Sequence, residues 1–280
     1  MVVRMSRSSE NEAEGDAFAA KGSWIQAANA YDRVIDPSAR VLNKRGCLLR
    51  DHLQNLRGAL ACHQYALEKS SDRVHAETLV YLSITHEDLE QYNEALQCCT
   101  RALRWFEGET PRDAAMIARC LVGKSNMHWA RRDLDEAYDC IERALALHEH
   151  KVHPRNDLDI AACLSNMGQI LRDQNQMEPA FACARRAVEI LHVCGRGDRR
   201  HAVALNNLGT MYQATGDYGK ARECFVRALQ SLPDENHPDR QNTRENIVRL
   251  NAVEQERNRQ FNQGDTRSST RNSPAMSKRD

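Results

Sequence analysis

Ala202–Pro233 reads AVALNNLGTMYQATGDYGKARECFVRALQSLP. Leu205, Leu208, Met211 and Tyr212 recur at helical spacing and share one face of a first helix. Gly209 lies within that face, where glycine costs about 1 kcal/mol against alanine. Close approach of a second helix supplies the reason, since no side chain intervenes. Gly216 suits a left-handed helix terminus, and Asp217 suits the N-cap of the next helix. The second helix brings Ala221 and Ala228 to the contact and Tyr218, Phe225 and Leu229 to its flanks. The stretch therefore predicts a tight helical hairpin.

The pattern recurs upstream. Ala27, Ala59, Ala95, Ala137, Ala180 and Ala221 are spaced 32, 36, 42, 43 and 41 residues apart. Seven residues after the last five come Ala66, Ala102, Ala144, Ala187 and Ala228, each followed by an aliphatic residue. Periods of this size signal stacked helical hairpins. The Gly209 position is taken by Gly15, Cys47, Ser83, Ser125 and Gly168, all small. Ser23, Asn55 and Asp133 repeat Asp217 as N-caps, and Gln91 and Gln176 are weaker ones. Lys124 stands where Leu208 would be.

Leu205, Leu208, Gly209, Tyr212, Ala221, Phe225, Ala228 and Pro233 carry a resemblance. They match the tetratricopeptide-repeat pattern except at its first position, where Leu205 replaces tryptophan. The longer period of the later copies, the linkers His153-Pro154 and His237-Pro238-Asp239, and the run Leu205–Gly209 look like the kinesin light chain subgroup, also seen in nephrocystin-like proteins. The resemblance covers residues 8–256. Such light chains carry a heptad coiled coil before the repeats. Here about a dozen polar residues precede the first helix, a departure from the subgroup at the segment that joins it to the motor.

The expected fold is an all-α, right-handed superhelical solenoid of six helix pairs, at 11–36, 40–70, 75–107, 114–149, 158–194 and 201–232. A capping helix would end near Arg259. Because each hairpin buries its apolar face only against its neighbours, a single array over 11–260 is expected, with disordered tails at 1–10 and 261–280. Ser273-Pro274 is a weak phosphorylation motif in the second tail.

Composition narrows the function. Lys plus Arg and Asp plus Glu both number 39, a formal charge of zero. That disfavours a nucleic-acid binder, which carries a basic excess. No run approaches the roughly 18 apolar residues of a membrane helix, and the N-terminus lacks a signal-peptide apolar stretch. Among the ten cysteines, Cys62, Cys98, Cys140, Cys183 and Cys224 each follow a repeat alanine by three residues. They read as small packing residues in a reducing, cytoplasmic compartment. No phosphate loop, nucleophile elbow or zinc-protease motif is present. The cluster His148-Glu149-His150-Lys151-Val152-His153 reads as a helix end, and the neighbours Cys98 and Cys99 point about 100° apart on a helix. No enzyme, metal or cofactor is expected.

Stacked hairpins put first helices on the concave side. On the resemblance, Asn166, Asn207 and Asn246 occupy one groove position in three successive first helices, with Asn206 beside Asn207. An amide both donates and accepts, so such a ladder grips the main chain of an extended peptide. Gln169, Arg172, Asp173, Thr210 and Gln213 surround it. Arg119, Asn126, Trp129, Lys44, Glu77, Glu87 and Asp88 hold the corresponding places upstream, with mixed charge. Trp129 is a candidate anchor. Lys44 lacks the asparagine of a terminal-carboxylate clamp at the next turn, where Leu48 stands. The expected function is a non-catalytic scaffold binding a peptide segment of a protein partner. A self-associating adaptor, using its convex face or end repeats, is the alternative.

Overall fold

The computed structural model describes residues 7–152, 156–194, 199–232 and 238–269. The chain forms two compact units, residues 1–156 and 157–280, where the sequence suggests one array. Among the described residues of the first unit are four hairpins. They are α1 (Arg7–Ala20) with α2 (Trp24–Asp32), α3 (Ala39–Asp51) with α4 (Leu56–Glu68), α5 (Asp72–Asp88) with α6 (Tyr92–Gly108), and α7 (Ala114–Ala130) with α8 (Leu134–His150). The second unit pairs α9 (Asp157–Asp173) with α10 (Met177–Cys194) and α11 (Arg199–Ala214) with α12 (Tyr218–Ser231), and ends in α13 (Pro238–Ser269).

All six expected pairs form, with small shifts at their ends. The first helix reaches back to Arg7, into the stretch read as a tail. The cap helix runs to Ser269, ten residues beyond its expected end. No proline interrupts 239–269, and extending a nucleated helix costs little. His153, Pro154, Pro233, His237 and the Ser273-Pro274 motif lie outside the described residues.

The alanine repeat is the core. Ala27, Ala59, Ala95, Ala137, Ala180 and Ala221 are fully buried, as are Ala66, Ala102, Ala144, Ala187 and Ala228. A methyl at these places lets paired helices approach closely while still removing apolar surface from water. Each second helix also packs on the first helix of the following pair within its unit. Successive first helices touch one another: α3 on α5, α5 on α7, α9 on α11, and α11 on α13.

A size rule governs three of the pairs. A Cβ added at Gly209 would stand 2.6 Å from the Phe225 ring, and one at Gly15 would stand 2.5 Å from Tyr31. In the second pair the glycine is Gly46, which lies against the His63 ring. Cys47 was expected there; the register is one residue off. The cause is the α3–α4 turn, where Asn55 N–H donates to the Leu49 carbonyl six residues back, at 2.7 Å. In the other five turns the bond spans five residues, as from Asp217 N–H to the Tyr212 carbonyl at 2.9 Å. Tyr31, His63 and Phe225 each sit eight residues after their N-cap, so one ring position faces one glycine.

The turns share a second feature. The residue before each N-cap is left-handed: Gly22, Gln54, Glu90, Arg132, Asn175 and Gly216, with φ from 52° to 80°. Gly216 was read from the sequence; Gly22 and Asn175 are residue types that suit this conformation, whereas Gln54, Glu90 and Arg132 do not announce it. Left-handed backbone costs an L-residue about 1–2 kcal/mol. Glycine forgoes that cost but gives up about 0.5–1 kcal/mol of chain entropy. Glu90→Gly is therefore expected to stabilise the first unit by about 0.5–1 kcal/mol, read as a raised urea midpoint; an unchanged or lower midpoint would contradict this strain assignment.

Capping is uneven. Asn55 accepts from the Gly58 amide at 2.9 Å and Asp217 from the Lys220 amide at 3.2 Å. Ser23, Gln91 and Asp133 make no side-chain cap bond. Asp133 faces Arg131 at 3.3 Å instead. Ser38 and Asp113 cap α3 and α7, a role not read from sequence.

Candidate functional site

In each unit the face formed by the adjoining first helices carries the candidate binding residues. In the second unit, α9 and α11 place Asn166 and Asn207 in the wall of one cavity of about 280 Å³. Ser165, Leu191, Arg200 and Val203 line it with them. The two asparagines are half-buried, and the Asn207 side chain makes no hydrogen bond among the described residues. Gln169, one turn along α9 from Asn166, has its Oε1 buried without a partner. An unmatched buried acceptor costs about 1–3 kcal/mol, so α9 carries an unmet demand for a donor beside this cavity.

The rest of the expected ladder is committed internally. Asn246 Nδ2 donates to Asn206 Oδ1 at 3.1 Å, tying α13 to α11. The Thr210 hydroxyl turns back to the Asn207 carbonyl at 2.7 Å. Arg172 spends its guanidinium on Asp173, with Nη2 at 2.8 Å and Nε at 3.1 Å from one oxygen. Gln213 is half-buried on α11. The structure thus brings Asn166 and Asn207 to one cavity and pairs Asn206 with Asn246.

In the first unit, Asn126 on α7 donates to Glu87 on α5 at 3.0 Å. Burial pushes the Glu87 carboxyl up to about 6. Arg50 lies along this face, 2.7 Å from Asp51 and 3.7 Å from Asp88. Arg119 is exposed and Trp129 half-buried on α7. Lys44 is held by Asp16 at 2.9 Å and Glu12 at 3.2 Å, and Glu77 by Arg73 at 3.0 Å.

Sequence reasoning missed a buried polar chain in this unit. The Thr78 hydroxyl donates to the Val74 carbonyl at 2.7 Å, so its oxygen accepts from Asn43 Nδ2 at 2.8 Å. Asn43 Oδ1 is left facing His63 Nδ1 at 3.0 Å. His63 must therefore carry its proton on Nδ1, which leaves Nε2 as a buried lone pair without a partner. His63 is fully buried, and burial, together with the nearby Arg50 charge, lowers its pKa to about 4. The available signal was its register, eight residues after Asn55, at the place of Phe225.

The cysteines of the repeat pack. Cys62, Cys140 and Cys224 are buried, Cys98 and Cys183 half-buried. Burial raises all five thiols, Cys224 to about 11. Cys99 is 1% exposed and its thiol donates to the Cys120 carbonyl at 3.2 Å, so it does not share a face with Cys98. His148 is 5% exposed on the buried side of α8 and the His150 side chain 72% exposed; His153 falls outside the described residues. Among the described residues no cluster with metal-ligand spacing occurs.

A fold of paired helices closed on alanine, with polar first-helix faces, defines a class of repeat scaffold. The chain carries tetratricopeptide repeats: models of that repeat match residues 116–191 and 202–235. The human protein O-mannosyl-transferase TMTC1 is 31% identical over 120 residues, which is 43% of this chain and 12% of that protein. The mouse counterpart is 28% identical over 130 residues, 46% and 12%. The chain thus spans about an eighth of the length of these curated relatives. Among solved structures, the anaphase-promoting complex hetero-tetramer Cut9-Hcn1 superposes with TM-score 0.67 at 14% identity, over 87% of this chain and 42% of that one. A tetratricopeptide repeat protein from Parabacteroides merdae superposes with TM-score 0.64 at 15% identity, over 87% and 83%. A kinesin light chain-type repeat protein from Podosopora anserina gives 0.53 at 14%, over 70% and 97%. At these identities the structures establish the fold. No helix among the described residues is long and apolar enough to cross a membrane.

Proposed function

We propose that the chain is a non-catalytic scaffold of protein–protein interaction. In this reading the α9–α11 face of its second unit holds an extended segment of a partner. The observation that carries it is the Asn207 amide, half-buried in a cavity wall and bonded to nothing among the described residues. Asn166 on the same wall and the unmatched Gln169 Oε1 add to it. Amides recognise peptide main chain through both donor and acceptor and so need little of its sequence. Each bond contributes about 0.5–1.5 kcal/mol, against about 8 kcal/mol for micromolar binding, so apolar contacts at Leu191 and Val203 supply much of the remainder. The 41–43 residue period supports a kinesin light chain-like subgroup, and ten cysteines outside any disulfide support a cytoplasmic setting.

Affinity capture with wild type and with Asn166→Ala/Asn207→Ala, followed by mass spectrometry, tests this reading. The double variant is expected to lose its partners by about 10-fold or more, from two or more bonds at the values above, with its helical circular-dichroism signal retained. Partners retained at full yield would overturn it. Retention together with a concentration-dependent dimer in sedimentation would favour the self-associating alternative.

A further inference from the structure

The first unit has a larger cleft on the side away from the first-helix face. It opens between the second helices α6 and α8, with the first turn of α7 beneath, and its volume is about 630 Å³. Ala114, Ile117, Ala146 and Leu147 make an apolar floor. The cleft is within the size range of sites that take one or two bulky side chains.

Its rim is basic. Arg112, Arg143, His150 and Lys151 surround it against one carboxylate, Glu107. Glu107 is already occupied by Arg143 at 3.2 Å, in a pair whose side chains are 40% and 59% exposed. Exposed pairs of this kind are worth little and open readily to a competing carboxylate. Neighbouring carboxylates are also engaged: Glu149 lies 4.0 Å from His150 of the rim. Arg73 takes Glu109 at 2.9 Å, Asp113 at 2.5 Å and Glu77 at 3.0 Å. Arg112 and Lys151, both exposed, have no ion pair among the described residues. A second cavity of about 380 Å³ shares Arg112, Ala114 and Lys151 and prolongs the cleft along the same edge. The chain as a whole is neutral, so this local excess is a feature of the fold.

We propose that this cleft docks an acidic peptide segment of another protein, with a bulky apolar side chain seated over Ala146 and Leu147 and flanking carboxylates on Arg112, Lys151 and Arg143. The charge complementarity selects the partner, and the apolar floor anchors it. The site is separate from the asparagine face and stands whether or not that face binds.

Fluorescence anisotropy on the full chain tests it with two labelled peptides. Each has a central Leu-Phe pair, flanked by Asp and Glu in one and by Lys and Arg in the other. The acidic peptide is expected to bind at least tenfold more tightly, and to weaken as salt screens the rim. Arg112→Glu/Lys151→Glu is expected to remove that preference while the circular-dichroism melt stays put, since both side chains are exposed and have no ion pair among the described residues. Ala146→Arg, which fills the floor without lowering the positive charge, is expected to weaken the acidic peptide as well. Asn207→Ala should leave its binding unchanged. Equal binding of both peptides, binding insensitive to the cleft variants, or loss on Asn207→Ala would overturn the proposal. So would a dimer of the chain that the cleft variants dissolve, because the occupant would then be a second copy.

Discussion

Phe225→Ala is expected to destabilise residues 157–280 by about 3–5 kcal/mol, the range for deleting a buried aromatic ring. Phe225 is fully buried with Ala221 and Leu250 around it. The loss would be a large share of the 5–15 kcal/mol by which native proteins are held. The size rule adds a sharper expectation. Gly209→Ala alone would put a methyl 2.6 Å from the ring, and overpacking costs about 1–3 kcal/mol, which outweighs the roughly 1 kcal/mol gained in helix propensity. With the ring gone the clash is gone and the propensity gain remains. Gly209→Ala should therefore destabilise the wild type and stabilise Phe225→Ala. Urea unfolding of the four proteins gives the cycle directly; additive effects would refute the pairing of ring with glycine.

The second large effect is a pH dependence in the first unit. His63 titrates at an ordinary 6.5 when unfolded and near 4 when folded. Its folded pKa is depressed, so its contribution is complete above pH 6.5 and is lost as pH falls toward 4, by about 3 kcal/mol in total. Glu87 runs the other way. Its pKa rises from 4.5 to about 6 on folding, so its contribution is complete below pH 4.5 and is lost as pH rises through 6, about 2 kcal/mol. Between pH 4.5 and 6 the two slopes oppose. Glu87→Gln keeps an acceptor for Asn126 and removes one slope. The variant should be about 2 kcal/mol more stable than wild type at pH 7 and equal to it near pH 4. Its stability should fall steeply below pH 6.5, while the wild-type profile is flatter from 6 to 4.5. Parallel profiles for the two proteins would refute the assignment. Glu87 also shows a cost borne on the first-helix face, where a neutral residue would be more stable.

Helix pairing was legible because it rests on local and periodic features. Alanines at a repeating interval, Gly209 against Phe225, and Asp217 after Gly216 each state a constraint within one hairpin. The candidate face was legible in part. The register of Asn166 and Asn207 was visible from sequence, and both line one cavity. The fate of Arg172, Thr210 and Asn246 was not, since each spends its polar atoms on a partner chosen by rotamer and neighbour: Asp173, the Asn207 carbonyl and Asn206.

Repeat type, helix order and the buried alanine seam follow from the residues alone, because hairpin packing depends on side-chain size at fixed spacing and every copy repeats the test. The folded molecule added what depends on contacts between copies. It shifted the close contact to Gly46 through one extra turn residue, and it aligned His63, Asn43 and Thr78 from three helices into a buried chain. It also gathered Arg112, Arg143 and Lys151 around an apolar floor. These groups lie up to 39 residues apart in the chain, and no periodicity records which of them meet, since charge and proton placement depend on distances that only packing sets.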